Sequence, residues 1–309
     1  MRANLAAWVV IPALFGLAGC DFEDFAGPRY NQDFHYSYPL KPGGRLSLDT
    51  FNGTVELSSW DQDTVDISGT KYGPSQTAAD ALRIDIANTP TSVSIRVARP
   101  SDFHGGRGAR FRVKVPRKTV LELISTSNGA IQVFGGAGPA RLRTSNGAIR
   151  VEGMDGDVDS RTSNGSVEVT DVAGEVVAHS SNGRVRLDNV RGGVQAETSN
   201  GGINAMVAAN QDVRPVRLES SNGSIDLTLP ANFNSGVRAS TSNAGITLHM
   251  PGPVNARISA RTSNASVSSD FEVRVEGELN KNHMDGVMGN GGPLLDLSTS
   301  NGGIRILRM

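Results

Sequence analysis

Three carboxylates at alternate positions, Asp155, Asp157 and Asp159, followed by Arg161, form the nearest local cluster in this 309-residue chain to what acid–base work on a sugar requires. Cleavage of a sugar linkage needs two positioned carboxylates, or a base beside an arginine or a cation, and these residue types would supply both. A solvated turn running into an outward strand face accounts for the same cluster more simply, so no catalytic residue is assigned. The five histidines, His35, His104, His179, His249 and His283, are scattered without the short-range spacing of metal ligands, and neither a metal nor a cofactor is expected. Gly105-Gly106-Arg107-Gly108 lacks the Lys-Ser/Thr of a phosphate loop and reads as an open loop. No Gly-x-Ser-x-Gly elbow occurs.

The elements that would carry such groups are set by a repeat. Thr/Ser-Ser-Asn-Gly, or its Ala variant, recurs with its asparagine at Asn128, Asn146, Asn164, Asn182, Asn200, Asn222, Asn243, Asn264 and Asn301, and the first four intervals are each 18 residues. A fixed period of this size is the signature of a solenoid, whose coils stack on their neighbours. Before each Asn, alternate residues are small or aliphatic, as in Val158, Ser160, Thr162 and Val176, Ala178, Ser180, and the residues between them are polar. After each Asn the alternation resumes one residue out of phase, as in Val167, Val169 and Val185, Leu187. Two strands facing one core with a phase slip between them require a corner at Ser-Asn-Gly. Asn and Gly tolerate left-handed backbone angles, which would suit them to that bend. A second corner is expected where Gly138, Gly156, Gly174 and Gly192 recur. Because the Asn shares the inward parity of the Thr or Ser before it, a buried ladder of asparagines bonding from coil to coil is expected. A residue type repeated in every coil solves a problem of every coil, so the ladder reads as structural rather than as a row of binding sites.

Residues 1–19 read as a signal peptide, with Arg2 ahead of a short apolar run. Leu17-Ala18-Gly19-Cys20 resembles a bacterial lipobox, and the resemblance implies cleavage before Cys20 and lipid on it, hence attachment to a membrane. Cys20 is the sole cysteine, so no internal disulfide is available. Asp21 after it resembles an inner-membrane retention signal of enteric bacteria, a rule that leaves the choice of inner or outer membrane open here. The chain carries 30 basic and 31 acidic residues, and removing residues 1–19 takes Arg2 and no acid, giving 29 against 31. That balance offers no electrostatic case for nucleic acid.

Upstream of the regular repeats, Asn52-Gly53 with Trp60-Asp61 follows the same plan once, Ser75 to Leu82 suits a short capped helix, and a strand ends at Val115-Pro116. With the Ser-Asn-Gly series and the closing Thr299-Ser300-Asn301-Gly302-Gly303-Ile304-Arg305-Ile306, this ordered set resembles the bacterial putative-adhesin family of β-solenoid domains, over roughly residues 40 to 309. The resemblance implies a cell-envelope protein with no established catalytic residues to carry over. The expectation is an all-β, parallel β-solenoid (β-helix) of about 18–22 residues per coil, with an irregular N-terminal portion and one short helix. Residues 20–39 would hold the lipidated cysteine, a tether and an entry strand. The expected partners are the membrane, through Cys20, and an envelope polysaccharide or protein laid on the outward face. A polysaccharide lyase or hydrolase built on a β-helix is the alternative. The spacings after Asn200 lengthen to 22, 21 and 21, where the coils are expected to bulge, and the segment between Asn264 and Asn301, with Asn280 to Gly286, is expected to be a loop near the end of the stack.

Overall fold

The computed structural model describes residues 30–99, 106–209, 214–275 and 280–309. Through the middle of the chain each coil gives one strand to each of two sheets. Val158–Thr162 leads through Ser163-Asn164-Gly165 into Val167–Val172, and a return corner at Gly174 leads into Val176–Ser180. Both sheets are parallel here, and each residue lies beside the one 18 positions later, Val158 against Val176 and Val167 against Val185. Among the described residues one sheet has 13 strands and the other 14. Their inward residues, Val158, Val167, Val169, Val172, Val176 and Ala178 in these coils, form one continuous core.

The corners hold for a different reason than left-handed backbone. Neither Asn164 nor Gly165 has a positive φ. A Cβ added at Gly165 would stand 1.8 Å from the carbonyl oxygen of Gly147 one coil away, and Gly147, Gly183 and Gly223 meet their neighbours at the same distance. Glycine is required because adjacent coils touch backbone to backbone. In the regular coils positive φ falls instead at the aligned positions Gly135, Gly153, Asp171 and Asn189, with Gly136 beside the first of them, whereas at the earlier Asn52-Gly53 corner it falls on Gly53 itself. The four aligned residues are of types that tolerate that conformation.

At both ends, order along the chain and order along the stack part company. Arg45–Asp49 lies between Ser92–Ala98 and Val120–Thr126, and Val55–Trp60 lies between Gly108–Pro116 and Ile131–Gly136. Antiparallel strands Arg83–Thr89, Thr64–Gly73 and Tyr30–Pro39 continue the sheets outward from there. Residues 30–39 are therefore a full edge strand of the 13-stranded sheet, where an entry strand was expected. The expected helix is Gln76–Asp80, and the Ser75 hydroxyl accepts from the Ala78 N–H at 3.2 Å.

The other end mirrors this. Leu294–Thr299 lies between Val237–Ser240 and Ala256–Thr262, and Ile304–Arg308 lies between Ile246–Met250 and Val267–Ser269. The coil last in sequence is thus second from the end of the stack. The segment expected as a loop contributes a strand, His283–Met288, which pairs antiparallel with Ala256–Thr262 and covers that end. After Asn200 the register of Ile203–Val207 against Val185–Val190 shifts once, between Leu187 and Val190, and the added length falls between strands, from Val207 to Val216 and from Thr228 to Val237.

Candidate functional site

The nine asparagines form one continuous chain of amide hydrogen bonds. Asn164 Nδ2 donates to Asn146 Oδ1 at 2.7 Å, and Asn182 Nδ2 donates to Asn164 Oδ1 at 2.7 Å. The chain begins at Asn52, which accepts from Asn128 at 2.7 Å, and it runs through Asn146, Asn164, Asn182, Asn200 and Asn222 to Asn243. It then follows the stack rather than the sequence, because Asn301 donates to Asn243 at 2.8 Å and Asn264 donates to Asn301 at 2.7 Å.

The expected burial of these side chains is wrong: all nine are exposed. The corner turns outward at the preceding serine, so the alternation that buries Thr162 does not carry through to Asn164. The buried polar work belongs to the residue two places earlier. Thr162, 3 % exposed, donates its hydroxyl to the Gly147 carbonyl at 2.9 Å and accepts from the Gly165 N–H at 3.2 Å. Thr144, Ser180 and Thr198 repeat the arrangement in their coils. Each hydroxyl satisfies two backbone groups that the bend strips from the sheets, which is why a hydroxyl recurs at a position otherwise suited to an aliphatic.

The acidic cluster lies on the outer face of the 14-stranded sheet. Asp155 and Asp157 are exposed at the return corner, where Asp157 Oδ1 accepts from the Glu175 N–H at 2.8 Å, as a solvated turn residue does. Asp159 is half-buried in a cluster with three arginines. Arg143 holds it bidentately at 2.7 and 3.0 Å, Arg161 stands 3.4 Å away and Arg141 3.7 Å. Burial pushes the Asp159 carboxyl up, but the Arg143 hydrogen bonds and the charges of Arg143, Arg161 and Arg141 outweigh it and hold the carboxyl below its ordinary value. A carboxylate held ionised by three guanidiniums is suited neither to donate a proton nor to take one.

One carboxylate against three guanidiniums leaves these four side chains with two positive charges in excess, while the depressions beside them are lined by five arginines and five carboxylates. The side chains of Arg141 and Arg161 are 61 % and 53 % exposed, so their remaining N–H donors face solvent. In the same row along the stack, His179 follows Arg161 and Glu197 follows His179, with a 3.5 Å contact between the last two. Two shallow depressions of about 580 and 490 Å³ meet at Glu175 on this face. Together they run from Arg45 to Asp296, across nine adjacent strands. At about 4.8 Å per strand the groove is about 38 Å long.

The four histidines of the described residues stand apart, each beside one carboxylate: His35 at Asp66, His179 at Glu197, His249 at Asp226 and His283 at Asp285. Among the described residues no three His, Cys, Asp or Glu side chains come together in a metal-holding group, and no helix is long and apolar enough to cross a membrane. Cys20, His104 and residues 1–19, where a signal peptide is expected, lie outside the described residues. The Arg141–Arg143–Arg161 association was not foreseen from the sequence, although it could have been found by writing the 18-residue repeats one above another.

No curated protein sequence matches the chain. Among solved structures, a putative adhesin from Parabacteroides distasonis ATCC 8503 is similar at 9% identity and a TM-score of 0.49, covering 89% of this chain and 97% of that one. A putative adhesin from Bacteroides fragilis NCTC 9343 is similar at 15% identity and a TM-score of 0.43, with the same coverage. One from Parabacteroides merdae ATCC 43184 is similar at 10% identity and a TM-score of 0.46, covering 90% of this chain and 97% of that one. The family described as Toastrack DUF4097 matches residues 44–267, which takes in the N-terminal coils that stack out of sequence order and the regular repeats. The chain belongs to the Toastrack DUF4097 family.

Proposed function

We propose that the chain is a non-enzymatic, adhesin-like binding module of the bacterial cell envelope, attached to a membrane through lipidated Cys20, and that it lays an anionic envelope polysaccharide along the groove on its 14-stranded sheet. The observation that carries this reading is the excess of guanidinium over carboxylate at Arg141, Arg143, Arg161 and Asp159, set beside a groove about 38 Å long. Planar guanidiniums match carboxylate, phosphate and sulfate groups bidentately, and a stack with a fixed rise suits a ligand that itself repeats. Asp159 orients the arginines and keeps three like charges together without a bound anion.

The test incubates the soluble domain, with Cys20→Ser, with acidic and neutral polysaccharide fractions from the host envelope, following retention and newly formed sugar ends together. Retention of the acidic fraction without new ends, weakened about tenfold or more by Arg141→Ala with Arg161→Ala, is expected; loss of one charge-assisted bidentate contact is worth about that much. Equal retention by the double variant would remove the arginine patch from the account. New sugar ends that vanish in Asp157→Asn would replace it with a carbohydrate-active enzyme.

A further inference from the structure

Near its end the chain stacks out of order, and this leaves a slot. The strands Val237–Ser240 and Ile246–Met250 of one coil make no pairing with Ala256–Thr262 and Val267–Ser269 of the next coil in sequence. All sheet pairing between these two coils passes through Leu294–Thr299 and Ile304–Arg308. The two walls of the slot are joined directly by residues 251–255, so both belong to one stretch of chain and stay tethered to each other when the slot is empty. A regular coil such as Val158–Val172 has no such freedom, because its sequence neighbours flank it on both sides.

The filling coil is a complete unit. It carries the inward set Leu295, Leu297, Ile304 and Ile306, each at most 2 % exposed, the corner hydroxyl Thr299 bonded to the Ala244 carbonyl at 2.8 Å, and Asn301 in the amide chain. It is reached through Gly289-Asn290-Gly291-Gly292-Pro293, in which Gly289 and Gly291 have φ of +58° and +79°. A complete element, a hinge beside it and a bordered acceptor are the requirements for exchange of identical elements between copies. An empty slot would present unpaired strand edges on four strands, the arrangement that recruits another chain.

We propose that the slot between residues 237–250 and 256–269 is an acceptor site for the Leu294–Arg308 coil of a second copy, so that two copies associate by exchanging this coil. The inserted coil makes the same contacts in either copy, and only the path of residues 289–293 differs. Association of this kind links two envelope-held copies through a shared core, without a new surface patch, and does not depend on what the groove binds.

Thr247 and Arg305 are register partners on neighbouring strands and carry the test. Two chains, both Cys20→Ser, carry Thr247→Cys and Arg305→Cys respectively. Neighbouring parallel strands bring such cysteines within disulfide reach, about 4.8 Å between Cα atoms. The chains are unfolded together, refolded together at high concentration and oxidised. A control chain carrying both substitutions reports the register within one copy.

A disulfide-linked heterodimer in the co-refolded sample, absent when the two chains are refolded apart and then mixed, is expected. Internal cross-linking of the control with no heterodimer in the co-refolded sample would overturn the proposal. So would a heterodimer formed equally after separate refolding, which would mark random surface contact. A control that fails to cross-link would overturn the register on which the proposal stands.

Discussion

The coils between Ala140 and Val207 and the coils at either end are built from the same phrase, yet they are held differently. In the middle, the neighbour along the sequence is the neighbour along the stack, and the strands from Ile149–Met154 to Val185–Val190 pair with those 18 residues before and after them. At each end the outermost coil reaches the body only through a coil from elsewhere in the sequence, residues 45–60 at one end and 294–308 at the other. The middle is a nearest-neighbour array whose coils share their fate with adjacent coils. Each end is a clamp, in which loss of one coil releases a cap that is itself intact. Open solenoid ends invite edge pairing, and at the residue 294–308 end the edges are reduced to Val267–Ser269 and Arg274–Val275.

The sharpest way to break the middle is at its backbone contacts. Gly165→Ala sets a Cβ against the Gly147 carbonyl, which no rotamer relieves, and should cost on the order of 4 kcal/mol in chemical denaturation. Gly193→Ala is the control, since its Cβ would meet nothing closer than 3.4 Å, and it should change the unfolding midpoint little. Equal losses for the two would remove backbone contact as the reason for the corner glycines.

Within the clamp, Leu297→Ala removes a fully buried side chain and should cost about 3 kcal/mol. Its consequence should be local to one end, unlike that of Val169→Ala in the array. A single unfolding transition shifted equally by both substitutions would dissolve the distinction between array and clamp.

Corner hydroxyls come next. Thr162→Val leaves the Gly147 carbonyl and the Gly165 N–H without a partner and should lower stability by about 1–3 kcal/mol. Asn164→Ala breaks two exposed amide bonds and should cost about 1 kcal/mol or less. Melting temperatures ranked in the opposite order would return the buried role to the asparagines.

The smallest effect is on pH dependence. Asp159 in the array and Asp285 at the capped end are both held below the ordinary value of 3.8. Burial raises each, but it is outweighed at Asp159 by Arg143 and its neighbouring arginines, and at Asp285 by a Ser259 hydrogen bond with His283 and Arg261. A depressed carboxyl contributes stability that is complete above its unfolded value and is lost as the pH falls through its folded one. Stability should therefore decline below about pH 4. The decline should be shallower in Asp159→Asn, read as the urea midpoint against pH, and an unchanged slope would mean that the arginines do not hold the charge.

Much of this architecture was legible because the array repeats. Alternation in Val158, Ser160, Thr162 and again in Val167, Val169 identified both strands and the corner, and the spacing of Asn128 to Asn200 gave the coil length. What was not legible depended on contacts across coils. The inward parity of Asn164 was extrapolated through a corner that breaks it, and glycine was assigned to dihedral freedom where the cause is a carbonyl 1.8 Å from the site of a Cβ. The column Gly135, Gly153, Asp171, Asn189 does carry left-handed backbone and could have been found by its composition. The clamps were hidden because Asn301 reads as the next repeat after Asn264, although it lies between Asn243 and Asn264. Nothing in the local pattern of residues 294–308 distinguishes the end of a stack from its interior.

Amide hydrogen exchange on Leu297→Ala, followed strand by strand, tests the clamp most directly. Residues 256–262 should lose protection together with 294–308, while 158–187 keep theirs. Retained protection in 256–262 after 294–308 has opened would show the cap held by the body itself, and would contradict the stacking order on which the distinction between array and clamp rests.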